Sequence, residues 1–510
     1  MRSWLTLAIN KRAVLTTAFV ALCLTFLGKG LAFGKEVVLS FYFGANDSTD
    51  AYFIANAVPG VMWATIYVTI NTVFLPAYVE ASAKKGGRGA KLAVEAVQAY
   101  FALALLATVA CVFAAGTIVR WTAPDAPFET VALAETLTII MSGGFVFSGY
   151  VAVQNAVQQA HGIYQSPLVV PVINNLLAIV GIIIAAYFAD IRIAVSMAVF
   201  AWVIQAPIQR IQTRRFYQSV GHWVVQSATM QRLALLSAPV MLGTFLDQIN
   251  IYVGLYLASG FDKGVISHLN YANRLALFLA STFPMLVAYF LFPRLAADAA
   301  LNEDSRTRQT LTRGMVLVVV STLPLVAFAA VLRADIIALI YGRGAFHASD
   351  VAATAAAFAA YAYGIIFIGM REIFNRLFYS YQRNAIPLVI GIVAALSNFI
   401  ASWWLLQNFG AVGIGLGASV AAMTYFAGQI CAVIVWKPDL IDRKLVRWVG
   451  IAFVAIVPAL PLLLLSTSLL VQAPAILRIA ACGAIFFPGY CAVFFLLARP
   501  AGLSLHDLSR

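Results

Sequence analysis

The chain has 510 residues, of which 62% are hydrophobic and only 10% charged, and its mean hydropathy is +0.90. No soluble globular domain has that balance, whereas a polytopic helical membrane protein does. The formal net charge of +13 does not point to nucleic acid, because the basic residues are spread among short loops, as in the positive-inside pattern.

The first predicted span, 13–43, carries the most information. It runs into the stretch 26–50, FLGKGLAFGKEVVLSFYFGANDSTD, in which Gly28, Gly30 and Gly34 interrupt an apolar run holding Lys29, Lys35 and Glu36. Ionisable side chains at that depth are costly, so they face a wet cavity or one another. One reading places Lys35 and Glu36 near the membrane surface, snorkelling. The other has the glycines break the helix, so that the broken segment lines a substrate cavity. Irregular backbone at membrane depth is tolerated only where it is buried or lines water.

Further spans are predicted at 51–80, 92–119, 130–159, 167–189, 193–216, 232–258, 265–296, 311–332, 350–380, 386–407, 411–436, 447–470 and 475–498, about fourteen in all. Basic residues mark alternate connections: Arg2, Lys11 and Arg12; Lys84, Lys85, Arg88 and Lys91; Arg210, Arg214, Arg215 and Arg232; Arg294, Arg306, Arg308 and Arg313; Lys437, Arg443, Lys444 and Arg447. The connections between these hold scattered charges only. The basic side is expected to be cytoplasmic, which with an even span count puts both termini there. No cleavable signal peptide is expected, because the first span is long and lacks a small-residue cleavage site. The loops are too short for an extracytoplasmic catalytic domain.

An internal repeat is visible. The segment 71–83, NTVFLPAYVEASA, closes span 2, and 288–300, AYFLFPRLAADAA, closes span 8. Each has an aromatic and leucine before a proline (Pro76, Pro293) and an acid in an alanine-rich exit. The same offset sets Asp50 against Ser267, Asn56 against Asn273, and Asp247 near Lys29 and Gly30. Two six-helix lobes follow, 1–222 and 223–440, around a central cavity, with 441–510 adding spans 13 and 14.

Lys29, Lys35, Glu36 and Asp50 of the first lobe, with Asp247 and Arg274 of the second, are the ionisable groups expected at the cavity. Several cations together suit a phosphate or pyrophosphate. The alternative is mutual neutralisation in structural pairs. Arg371, Glu372 and Arg376 are expected to be structural. So are Gln154, Asn155, Gln158, Gln159, Asn174 and Asn175, as interhelical hydrogen bonds. The tryptophans, Trp63 and Trp202 among them, are expected mostly in interfacial belts. Cys23, Cys111, Cys431, Cys482 and Cys491 lie in apolar stretches without a CxxC pair and are expected to be buried small hydrophobes. The five histidines form no metal-binding spacing, and no metal or cofactor is expected.

The run 339–346, LIYGRGAF, followed by Ser349 and Asp350, resembles the MurJ/MviN family of lipid II flippases, within the superfamily of multidrug, oligosaccharidyl-lipid and polysaccharide exporters. Phe43-Gly44 with 49–53 (TDAYF), 271–275 (YANRL), Phe378-Tyr379 ahead of Pro387, and Phe74-Leu75-Pro76 match in order across spans 1 to 12. The resemblance implies an alternating-access carrier, without covalent chemistry. Its cargo would be an undecaprenyl-pyrophosphate-linked saccharide, moved from the cytoplasmic to the periplasmic leaflet of a bacterial inner membrane. It also implies a lipid-tail groove on spans 13 and 14. By position, Lys29 and Lys35-Glu36 match the family's Arg and Arg-Asp. Asp50 matches its acid at the start of span 2, Ser267 its serine at the start of span 8, and Arg274 its span 8 arginine.

Three features depart from the family pattern. Where it carries an L-P-N-L-L-R-R-like segment, this chain has 58–64, VPGVMWA, so Trp63 and Ala64 stand in place of cations. Two cavity arginines are lysines, which lose the bidentate fork. Arg383 stands where an acidic residue is common, which argues against cation coupling there. Competing readings are a drug or metabolite exporter of the same superfamily, a non-transporting scaffold, and a membrane glycosyltransferase.

Overall fold

The computed structural model describes residues 11–83, 88–217, 228–301, 303–383 and 385–499, apart from certain side chains inside helices. The described residues form helices joined by short connections, without a strand. The chain divides into two compact units, Met1–Gln248 and Ile249–Arg510. Eleven helical stretches among the described residues are long and apolar enough to cross a membrane. Three more helices, of 33, 31 and 36 residues, occupy the places of predicted spans 1, 7 and 8.

The first unit contains α1 (Lys11–Phe43), α2 (Asp47–Thr69), a π-helical turn (Ile70–Phe74), α3 (Leu75–Ala83), α4 (Arg88–Thr122), α5 (Phe128–Ser142), α6 (Phe145–Ala160), α7 (Gln165–Phe188) and α8 (Ile191–Thr213). The division between units falls inside α9 (Ala228–Ala258). The second unit continues with α10 (Val265–Ala300), α11 (Asp304–Val331), the short α12 (Arg333–Ile340), α13 (Ala348–Ser380), α14 (Ala385–Phe409), α15 (Val412–Trp436), α16 (Arg443–Leu469) and α17 (Ala475–Ala498).

The expected break in the first span is absent: α1 is one uninterrupted helix through Gly28, Gly30 and Gly34. A glycine weakens a helix by only about 1 kcal/mol relative to alanine, whereas an unpaired peptide group in hydrocarbon costs several. The chain ends α1 instead at Gly44, whose φ of +67° suits a residue without Cβ. Asn46 then caps α2: its side chain accepts from the Ser48 and Thr49 amides, and the Thr49 hydroxyl accepts from the Asn46 amide. The opposite happens in span 4, which bends between α5 and α6. At Gly143 and Gly144 the amides reach back three residues, to the Ile140 and Met141 carbonyls.

The helix pairings of the first unit recur in the second. Spans 5 and 6 pair as α7 with α8, and spans 11 and 12 as α14 with α15. Spans 2 and 4 pair as α2 with α5, and spans 8 and 10 as α10 with α13. Spans 4 and 6 pair as α6 with α8, and spans 10 and 12 as α13 with α15. Small residues permit these contacts where lipid offers no hydrophobic drive. In the first core Ala93 and Ala96 of α4 and Ala152 and Ala156 of α6 pack with Ile70, Phe74 and Tyr78. In the second, Gly413 and Gly417 bring α15 onto α14 so closely that a Cβ on Gly417 would lie 2.0 Å from the Ser402 hydroxyl.

Spans 13 and 14 attach to the second unit through two stripes. Ala452, Ala455 and Ala459 run down α16, and Phe486, Tyr490 and Phe494 down α17, all in one core with Phe328 of α11. Arg478 of α17 also donates to Asp335 of α12 at 2.8 Å. Outward faces are apolar, with Phe113 87% and Val435 86% exposed, as lipid contact requires. This explains a correction among the cysteines: Cys111 and Cys482 are buried, but Cys23, Cys431 and Cys491 are exposed.

Candidate functional site

A cavity of about 450 Å³ opens inside the first unit, among α1, α2, α6, α7 and α8. Lys35 is its contribution from α1. That side follows from packing: Gly28 abuts Pro171 of α7, and Lys35, seven residues on, lies about 20° away on the same helix face. The Lys35 ammonium is 3.3 Å from a Glu36 carboxylate oxygen, and the two side chains are 21% and 4% exposed. The charges of α1 therefore include a near-neighbour pair, as the mutual-neutralisation reading expects.

Trp63 and Ala64 bring α2 to the cavity, and Trp202 brings α8. The indoles sit 6.2 Å apart between ring centroids at 49°, a tilted pair in mutual contact that forms one aromatic side of the cavity. Gly144, in the bend of span 4, lies beside both: a Cβ there would meet Trp63 at 3.5 Å and Trp202 at 3.7 Å, ordinary packing distances. These two tryptophans line a cavity between helices rather than an outward face. Their burial comes from packing between helices distant in sequence, which hydropathy does not register.

The polar wall comes from α6 and α7. Most of the amides there behave as expected. The Gln154 side-chain oxygen accepts from Thr213 at 2.7 Å and Tyr217 at 2.9 Å. Gln158 donates to Gln209 and Gln212, Asn174 accepts from Gln205, and Asn175 donates within its own helix to the Pro171 carbonyl at 2.8 Å and across to the Gly28 carbonyl of α1 at 3.4 Å. Asn155 differs. It lines the cavity at 3% exposure, and its Oδ1 has no hydrogen-bond partner among the described residues. The Trp63 indole N–H is likewise buried without a partner. The interhelical reading is therefore corrected for Asn155. Ser148 and Asn155 both line the cavity from α6, seven residues apart on one face, and that spacing was the available signal.

The remaining expected site residues lie elsewhere. Lys29 is half-buried on the α1 face that carries Glu36. Asp50 is 4% exposed in the first turn of α2, where the helix dipole favours a carboxylate. In the second unit Ser267 is fully buried at the start of α10, and Arg274, seven residues on, is exposed. The Asp247 side chain lies outside the described residues. Arg371 stacks 5.0 Å from the Tyr425 ring centroid beside Glu372, and Asn375 accepts from Gln429 at 2.7 Å, in keeping with a structural role for that cluster. The 339–346 motif packs as Tyr341 and Phe346 against Tyr271 of α10, with Gly344 at φ +66° turning the chain.

The model of the family described as "Lipid II flippase MurJ" matches residues 39–473, across both units. The chain belongs to the MurJ lipid II flippase family. Relatives are distant but extensive. The probable lipid II flippase MurJ of Buchnera aphidicola subsp. Acyrthosiphon pisum is 23% identical over 79% of this chain and 80% of its own. The lipid II flippase MurJ of Burkholderia cenocepacia is 24% identical over 79% and 81%. The solved structure of a lipid II flippase MurJ in an inward closed conformation superposes with TM-score 0.76 at 20% identity, covering 92% of this chain and 99% of that one. An inward-facing multidrug transporter of the MATE family gives TM-score 0.68 at 14% identity, over 83% and 98%. This MurJ-family member is a multi-pass membrane protein with the fold of that superfamily. The two residues standing where the family resemblance calls for cations, Trp63 and Ala64, both line its first-unit cavity.

Proposed function

We propose that the protein is a flippase that moves an undecaprenyl-pyrophosphate-linked saccharide, lipid II in the first instance, from the cytoplasmic to the periplasmic leaflet. The supporting observation is the family match, which runs through spans of both units rather than through one motif. The drug-exporter reading is not favoured, since the MATE transporters resemble this chain less closely than the MurJ structure does. Lys29, Lys35, Glu36, Asp50, Asp247, Ser267 and Arg274 are assigned to the headgroup cavity. Among them Lys29, Lys35 and Arg274 would hold the pyrophosphate through charge-assisted hydrogen bonds. The apolar outer faces of α16 and α17 would receive the lipid tail, in a cytoplasmic membrane with both chain termini inside. The exchange between inward and outward states is a population shift that cargo binding biases, without covalent chemistry.

The test is complementation. Expressed in a strain depleted of its own lipid II flippase, the protein is expected to restore growth at matched membrane levels. No rescue from correctly inserted protein would overturn lipid II as the cargo.

A further inference from the structure

We infer that the first-unit cavity is a subsite for an uncharged pyranose ring of the cargo, held against the Trp63–Trp202 wall and by the Asn155 amide; this rests on the flippase reading above. Three observations carry it. The first is the unsatisfied amide. A buried amide oxygen without a partner costs about 1–3 kcal/mol, and the side-chain oxygens of its neighbours Gln154 and Asn174 have each found donors on another element. Asn155 Oδ1 has none among the described residues and belongs to the cavity wall. A ligand hydroxyl or amide N–H would complete it.

The second is the shape of the aromatic wall. Two indoles at 49° present flat apolar faces, and the Trp63 N–H adds a buried donor without a partner. Rings with an apolar body and a polar handle suit a ligand with C–H faces and hydroxyl edges. The third is charge. Lys35 is the charged side chain among the residues that line the cavity and is left to the pyrophosphate; the rest of the lining, Trp63, Trp202, Ser148 and Asn155 included, is uncharged and suits a sugar ring. The cavity's 450 Å³ falls within the roughly 300–1,000 Å³ of small-molecule sites, ample for one sugar ring with its substituents. Replacing cations by Trp63 and Ala64 thus moves this wall from phosphate to saccharide recognition.

The experiment is native mass spectrometry of the purified full-length protein in detergent, titrated with lipid II and, separately, with undecaprenyl pyrophosphate. Asn155→Leu removes the unsatisfied amide, and Trp202→Leu removes one indole of the aromatic wall. Each is expected to weaken lipid II binding about tenfold and to leave undecaprenyl pyrophosphate binding unchanged. Equal loss for both lipids in the folded variants, or no loss for either, overturns the subsite, because a merely structural amide does not select between them. If the unaltered protein binds neither lipid, the flippase reading itself falls, and the subsite with it. If Asn155→Leu does not fold, Trp202→Leu decides.

Discussion

Arg274 is the residue on which the headgroup assignment depends most. It stands exposed on α10, one face-repeat beyond the buried Ser267. A charge-assisted hydrogen bond to phosphate contributes roughly 1.5–3 kcal/mol, about ten- to a hundredfold in affinity. Arg274→Ala is expected to abolish complementation at unchanged membrane abundance, and Arg274→Lys to retain part of it. Full activity of the alanine variant would make Arg274 peripheral. At this scale the charged residues were legible in the sequence, because an ionisable group in an apolar run is conspicuous. Trp63 was legible only through the family resemblance, which sets it in place of a cation; Asn155 and Trp202 were not, because whether an amide or indole meets a partner, lipid or a cavity depends on which helices cross it.

Elements were legible in number and order, and less so in continuity. Hydropathy placed each span but could not show that α1 runs unbroken through three glycines while span 4 bends at two. The difference lies in packing. Gly30 and Gly34 have nothing within 4 Å of a Cβ, so they demand no special backbone, whereas in the bend a Cβ on Gly143 or Gly144 would press to 3.3 Å and 3.2 Å on the Ile140 and Met141 carbonyls. The same distinction predicts stability. Gly417→Ala would force a Cβ to within 2.6 Å of the Ser402 backbone and is expected to cost about 1–3 kcal/mol or more, read as a lower Tm. Gly450→Ala on α16, with open space around it, is expected to leave Tm unchanged or slightly raised. An equal drop for both would mean that the α14–α15 contact is not the close approach described here. Likewise Asp335→Ala removes a partner of Arg478 and is expected to speed proteolysis at 471–474, the connection between α16 and α17.

For the molecule as a whole, the repeat could be read from two proline segments, and the structure supplies its physical content in helix pairings that recur in each unit. Orientation in the membrane rests on the basic connections alone. Reporter fusions at Gly86 and Asn302 are expected to read cytoplasmic, and fusions at Asp125 and Lys263 periplasmic; a periplasmic signal at Asn302 would overturn the topology. The central claim is transport of a lipid-linked saccharide between leaflets. It is tested most directly by leaflet-resolved labelling of lipid II in cells whose only flippase is this protein. The account predicts that lipid II reaches the periplasmic leaflet while the protein is present, and is trapped in the cytoplasmic leaflet within a generation or so of its depletion or in the Arg274→Ala variant. Lipid II confined to the cytoplasmic leaflet despite abundant, correctly inserted protein would contradict it.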